Sequence, residues 1–346
     1  MTPIEGVDLH ALGAWMDGTG LPAGPIEEPE RLAGGTQNVL VRFRRGGETY
    51  VLRRPPPHKR ANSDETMRRE ARVLAALAGS DVPHPALIAV CPDTDVIGAA
   101  FYLMEPIDGA NPTVDLPARY VEDPSWRREL GLAMADGAAS VGAVDHLAVG
   151  LGGLGDPDGY LERQVPRWRA QLDSYASLEG YPGPEIADVD RVGEWLDANR
   201  PTSWRPGLIH GDYHLANVLA RRDRPKLAAI VDWELTTIGD PLLDLGWLLA
   251  TWPDADGVGT AGSVDVQPWA DFPTPDQLIA RYAERSDRDL AAVAWYEVLA
   301  CYKLGIILEG THARAFAGLA PKETGDQLHA STLRLFQRAH SRIATS

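Results

Sequence analysis

Cysteine is almost absent: the chain has two in 346 residues, Cys91 and Cys301. They lie far apart and in no CxxC or Cys/His pattern, which excludes a disulfide scaffold or thiolate metal site and predicts a reduced, cytosolic setting. Long apolar runs are missing too, as is a basic segment leading into an apolar stretch near the start, so neither a membrane-spanning helix nor an export signal is expected. Positive charge is the minority sign, with 33 Lys and Arg against 49 Asp and Glu and a net charge of −16. Without a basic stripe to replace phosphate counterions, general nucleic-acid binding is excluded. Neither a Gly-x-Ser-x-Gly elbow nor a His-Glu-x-x-His helix occurs, which removes the common hydrolase readings. There is no internal repeat and no coiled-coil heptad. What remains is 44% hydrophobic and 24% charged, enough for two lobes that each bury a core.

The informative stretch reads His210-Gly-Asp212-Tyr-His-Leu-Ala-Asn217, followed by the strand-like run Leu227–Val231, which delivers Asp232, Trp233 and Glu234. A loop Asp, an Asn five positions later and an Asp ending the next strand is the layout kinases use. Phosphoryl transfer asks little covalent chemistry of a protein. It needs an acceptor oxygen held in line with the γ-phosphorus and divalent charge on the phosphate oxygens. Asp212 is therefore read as base or orienter of a hydroxyl nucleophile. Asn217 and Asp232 are read as oxygen ligands of magnesium, which keeps its other positions for water and phosphate. His210, entering a tight turn with Gly211, is read as the residue that holds Asp212 in place.

Upstream, Leu9, Leu12, Trp15 and Met16 follow Asp8 at helical spacing, with Asp8 as the N-cap. The pattern then turns to β over Ile26–Leu32, Asn38–Arg44 and Thr49–Arg53, with Gly46-Gly47 as a hairpin turn. Between the first two strands, Gly34-Gly35-Thr36-Gln37-Asn38 is either a plain turn or a glycine loop over phosphates, where backbone N–H groups approach closely and the Thr36 hydroxyl adds a donor. Arg53, at the end of the third strand, stands where kinases carry the cation that touches phosphates and pairs with a Glu on the next helix. Ser63–Leu77 has helical period, and Glu70 on it is the proposed partner. Two further strands, Ala86–Cys91 and Ala99–Met104, precede Met104-Glu105-Pro106-Ile107-Asp108-Gly109, an interlobe hinge whose backbone can meet a nucleotide base. The expected lobes are thus 1–108, nucleotide-binding, and 109–346, carrying the catalytic loop and acceptor site.

Beyond residue 112 the periodicity is mainly helical: Pro124–Val144, Gly159–Leu178, Val189–Asn199, a helix starting near Pro241, and three more from about 274 to 344. Asp240 reads as a helix cap, and Asp244 as a cap or a brace for the catalytic loop. Residues 253–276 are rich in Pro, Gly and Asp without a hydrophobic period, so they form a mobile loop beside the acceptor site or a simple connection. An antiparallel sheet followed by a run of helices is an α+β arrangement.

Together, His210-Gly-Asp212-x4-Asn217, Ile230-Val231-Asp232-Trp233-Glu234 and Gly239-Asp240-Pro241-x-x-Asp244-Leu245 resemble the aminoglycoside phosphotransferase-like (APH/choline kinase) family over nearly the whole chain. Within it, Tyr50–Pro56 and Leu304–Gly310 are similar to the phosphotransferase domains fused to acyl-CoA dehydrogenases. The resemblance implies a protein-kinase-like two-lobe fold, an antiparallel-sheet N-lobe plus a mainly helical C-lobe. It implies ATP- or GTP-dependent phosphorylation of a small hydroxylated molecule, with Asp212 as catalytic base, Mg2+ on Asn217 and Asp232, and Arg53 with Glu70 at the nucleotide phosphates. Arg53 departs from the more usual Lys, and its planar fork is not equivalent to a point-charge ammonium.

Acceptor identity stays open at this stage. Glu284, Asp287, Asp289, Glu297 and Glu309 could line a site for a cationic aminoglycoside. They are interleaved with Arg281, Arg285, Arg288, Lys303, His312 and Arg314, a mixture that suits an anionic or acyl-type hydroxy compound equally, and solvated helix faces account for any one of them. A silent nucleotide-binding pseudokinase or scaffold is the alternative from another class, although a scaffold needs neither base nor metal ligands. The segment from Asp232 to Asp244 is too short for an activation loop, which favours small molecules over protein acceptors.

Overall fold

The structure is a computed structural model that describes residues 4–32, 38–255, 257–259 and 264–346. Contacts gather the chain into two units, one of Met1–Asp108 with Ala228–Glu234 and one of Gly109–Leu227 with Leu235–Ser346. Among the described residues no helix is long and apolar enough to cross a membrane.

The first unit opens with α1 (Leu9–Asp17), where the Asp8 carboxylate accepts from the backbone N–H of His10 and Ala11. Its sheet has the order β1-β2-β3-β5-β4, every pair antiparallel, built from β1 (Glu27–Arg31), β2 (Val39–Arg45), β3 (Glu48–Arg54), β4 (Leu87–Cys91) and β5 (Phe101–Met104). Gly46 and Gly47 both take positive φ between β2 and β3, the backbone a two-residue hairpin requires. Alternation along β2 turns Val39, Val41 and Phe43 into a core with Leu12, Met16, Tyr50, Leu52, Phe101 and Leu103, each such side chain worth about 1.5–3 kcal/mol on burial. α2 (Ser63–Leu77) buries Met67, Ala71, Leu74 and Leu77, and with them Glu70. Cys91 is buried and unpaired in this unit, as Cys301 is in the other.

The second unit is mainly helical: α3 (Ala118–Glu122), α4 (Pro124–Gly142), α5 (Gln164–Ser174), α6 (Val189–Ala198), α7 (Leu242–Thr251), α8 (Pro275–Arg285), α9 (Val293–Phe316) and α10 (Lys322–Thr345). Short strands β6 (Gly207–Ile209) and β9 (Thr237–Gly239) pair antiparallel, and β7 (Val218–Ala220) follows the loop; β8 (Leu227–Ile230), which from Ala228 belongs to the first unit, leads to Asp232. Helix α7 is apolar nearly all round and buried; its Gly246 lies so near the Tyr296 backbone that a Cβ would come within 2.5 Å of it, so only glycine lets α7 and α9 approach this closely.

Two expectations change. The helix anticipated from Gly159 begins at Gln164 and ends in a 3-10 turn over Tyr175–Ser177. The described part of 253–276 is not a bare loop: Trp269 stacks on Phe272 at 4.3 Å with Trp252 edge-on, and these rings are buried. Aromatic spacing within a Pro/Gly-rich stretch carries no period, yet it packs a core.

Candidate active site

In the first unit, three distant stretches meet. Arg53 leaves β3 almost fully buried and its Nε lies 2.9 Å from Glu70 Oε2. The same guanidinium donates from one terminal nitrogen to Glu70 Oε1 at 3.2 Å and to Asp232 Oδ1 at 2.7 Å. The Tyr102 hydroxyl donates to Glu70 Oε2 at 2.8 Å. Burial works against the Arg53 charge, but Glu70 and Asp232 beside it raise its pKa and keep it protonated. Burial likewise raises the Glu70 carboxyl against the pull of Arg53 and Tyr102, so the pair persists only because each partner is present. Asp232 takes a left-handed backbone with φ of 67°, a conformation costing a non-glycine residue about 1–3 kcal/mol. Its side chain, held by Arg53 through Oδ1, is 40% exposed.

In the second unit, the loop of residues 210–217 is wired mostly by side chains that bond its backbone. Gly211 has φ of +87°, and a Cβ there would meet the Leu235 carbonyl at 2.6 Å, so glycine is required twice over. Buried Asp244 accepts from the N–H groups of His210 at 2.6 Å and Gly211 at 2.9 Å; it braces the loop, whereas Asp240 caps α7 by accepting from Leu242 N–H. His210 is fully buried and its Nδ1 accepts from the Asp212 N–H at 3.3 Å. Tyr213 anchors the loop on α4, its hydroxyl donating to the Met134 carbonyl at 2.8 Å. Asn217 Nδ2 donates to both the Asp212 carbonyl, 2.8 Å, and Asp212 Oδ2, 2.9 Å. That orients the amide so that its Oδ1, a hard oxygen suited to magnesium, is not consumed by these bonds.

Two residues of this loop environment have contacts that the sequence did not assign them. His214 Nε2 lies 3.3 Å from Asp212 Oδ1; it belongs to the motif, and only its contact shows its role. Lys303, on α9, lies half-buried over the Trp247 ring at 4.4 Å and donates to the Gly211 carbonyl at 3.4 Å. Burial would raise the Asp212 pKa, but the hydrogen bond and charge of His214, with His210 and Lys303, hold it well below the usual carboxylate range. Burial pulls the Lys303 ammonium down to about 8 despite Asp212 and Asp244. A lone lysine within an apolar helix was the available signal, and nothing local said what it faced.

Among the other expected residues, Met104 ends β5 opposite Val51 and Leu87. Glu105 ties the following segment back, its N–H donating to the Ala86 carbonyl and its carboxylate accepting from Ala86 N–H, both at 3.0 Å. Asn38 sits half-buried just before β2; Gly35 and Thr36 lie outside the described residues. Four of the five carboxylates suggested as an acceptor lining are paired within the second unit, and Asp289 accepts from the Ala291 N–H. Glu297 pairs with Arg342 at 3.1 Å, Asp287 with Arg205, Glu284 with Arg281 at 2.9 Å, and Glu309 is buried between Tyr181 and His329.

The profile of the phosphotransferase enzyme family (APH) matches residues 28–296. Acyl-CoA dehydrogenase family member 11 of Pongo abelii is 31% identical over 289 residues, 82% of this chain but 36% of that protein; the chain spans about a third of that relative's length. Among solved structures, a candidate aminoglycoside phosphotransferase from Ralstonia eutropha JMP134 is 29% identical with a TM-score of 0.79, over 96% of this chain and 98% of that one. The GDP complex of aminoglycoside 2'-phosphotransferase-IIIa is 17% identical with a TM-score of 0.61, over 95% and 97% of the two chains. The fold is protein-kinase-like, an antiparallel-sheet unit and a mainly helical one.

Proposed function

The chain belongs to the phosphotransferase enzyme family, and we propose that it transfers the γ-phosphoryl group of ATP or GTP to a hydroxyl of a small molecule in a magnesium-dependent reaction. The observation that carries this reading is Asp212, held by backbone and side-chain bonds from His210, His214 and Asn217 while its own side chain stays 30% exposed. A carboxylate this acidic is a weak base. It orients the acceptor hydroxyl from the ground state onward and takes its proton late, as the nucleophile's O–H bond weakens, which suits a loose transition state with little nucleophile charge. Asn217 and Asp232 are the proposed magnesium ligands, and magnesium bound there supplies charge neutralisation at the phosphate oxygens. Arg53, braced by Glu70, is the proposed phosphate contact, with the segment at Met104 and Glu105 beside the base and Gly35, Thr36 and Asn38 over the phosphates. The GDP complex of a fold relative supports a nucleotide donor.

For the acceptor, the internal pairing of Glu284, Asp287, Glu297 and Glu309 leaves few free carboxylates for a polycation. That favours a metabolic hydroxy compound over an aminoglycoside. The test is phosphate transfer from γ-labelled ATP and GTP, with magnesium, to pooled hydroxylated metabolites and aminoglycosides. Asp212→Asn should cut transfer by about 10²–10⁴-fold with nucleotide affinity retained, and Asp232→Ala should weaken magnesium-nucleotide binding. Equal nucleotide affinity in wild type and Asp232→Ala would sink the metal assignment; nucleotide binding with no labelled pool would favour a scaffold.

A further inference from the structure

Away from the catalytic loop, α9 and α10 each carry a carboxylate and an imidazole one turn apart: Glu309 with His312, and Asp326 with His329. Residues at i and i+3 share one face of a helix, and where the two helices pack these faces meet. One ligand atom from each of Glu309, His312 and His329 falls within 4.8 Å of the others. Glu309 is fully buried; its Oε2 lies 2.7 Å from His329 Nδ1, and its Oε1 accepts from the Tyr181 hydroxyl at 2.6 Å. The two imidazoles stack with centroids 4.3 Å apart.

A hydrogen-bonded chain from Tyr181 through Glu309 to His329 accounts for three of these groups, and it leaves one over. His312 Nδ1 is buried without a hydrogen-bond partner, 3.8 Å from Asp326 Oδ1. An unpaired buried polar atom costs about 1–3 kcal/mol, and a cation shared with Glu309 and His329 removes that cost. Two imidazoles and a carboxylate are the donor set of zinc-class ions; magnesium, which prefers oxygen, is a poor match.

We propose that Glu309, His312 and His329 bind one zinc-class divalent ion that clamps α9 to α10, with half-exposed Asp326 or water completing four-coordination. The ion is structural. By fixing α9 it also steadies Lys303, two turns earlier, under the Gly211 carbonyl. This site shares no residue with the proposed transfer chemistry, so the two readings fail separately.

The experiment is titration of the chelator-treated full chain with Co2+ and Zn2+, read by visible absorption, bound stoichiometry and thermal unfolding. One equivalent of cobalt should give tetrahedral visible bands, and zinc should raise Tm; both effects should vanish in His312→Gln and His329→Gln while surviving in Asp232→Asn. Bands that persist in both histidine variants, or no bound equivalent in the wild type, overturn the proposal. X-ray absorption of the zinc-loaded wild type needs no variant to fold: two imidazole ligands are expected, and an all-oxygen shell overturns it.

Discussion

Arg53, Glu70 and Asp232 come from three separate stretches, and charge is what holds them together; the loop of residues 210–217 is one continuous run held by side chains that bond its backbone, buried His210 among them. The first arrangement is strong only when complete, because each member pays for the burial of another. The second tolerates loss more locally, since Asp244, His210 and Tyr213 each secure a different part of the loop. A charged cluster positions groups by mutual dependence, and a wired loop positions them by redundancy.

The largest effect should come from breaking that dependence. Glu70→Ala leaves the Arg53 guanidinium buried without its main partner and should cost about 3–5 kcal/mol in chemical denaturation. Adding Arg53→Met should restore much of the loss, as coupled neighbours do. A double variant no more stable than Glu70→Ala would mean that the cluster is not a unit.

In the loop, His214→Ala should leave the fold intact and lower transfer about 10–100-fold, while raising the Asp212 pKa toward its ordinary 3.8. A depressed carboxyl contributes stability that is present above its unfolded value and lost as pH falls through the folded one, so the variant should lose less stability in strong acid than the wild type. Carboxylate titration followed by NMR reads this directly; an unmoved Asp212 would transfer the role to His210 and Lys303.

The smallest change at neutral pH is expected for Lys303→Met, because burial offsets what the ammonium gains from Trp247 and the Gly211 carbonyl, contacts worth about 1 kcal/mol each. Its sign with pH is the sharper readout. The folded pKa of about 8 lies below the ordinary 10.5, so the folded state binds fewer protons between them and wild-type stability should rise relative to the variant as pH climbs through that window. A pH-independent difference between the two proteins would show that Lys303 does not titrate there.

Much of the fold was legible because it is local. The period of Ser63–Leu77 matches α2 at both ends, Gly46-Gly47 marks the β2–β3 turn, and Asp8 caps α1. The pairing of Arg53 with Glu70 was legible through family likeness, since nothing in their spacing excludes the several other arginines nearby. The buried aromatic packing of Trp269 and Phe272 was not, because stacking between rings three residues apart in irregular chain follows no hydrophobic period.

Sequence alone therefore marked the phosphotransferase family, because the run of residues 210–217, with its turn at Gly211, is set by residue identity at short range. Tertiary structure decided what those residues feel. Asp232 reaches Arg53 across 179 positions, Lys303 reaches Gly211 across 92, and Asp244 reaches the loop across 33 and 34. Such contacts depend on how helices and strands pack, and burial then sets their charge states. A strand or helix pattern records which face turns inward, but not which distant partner waits there.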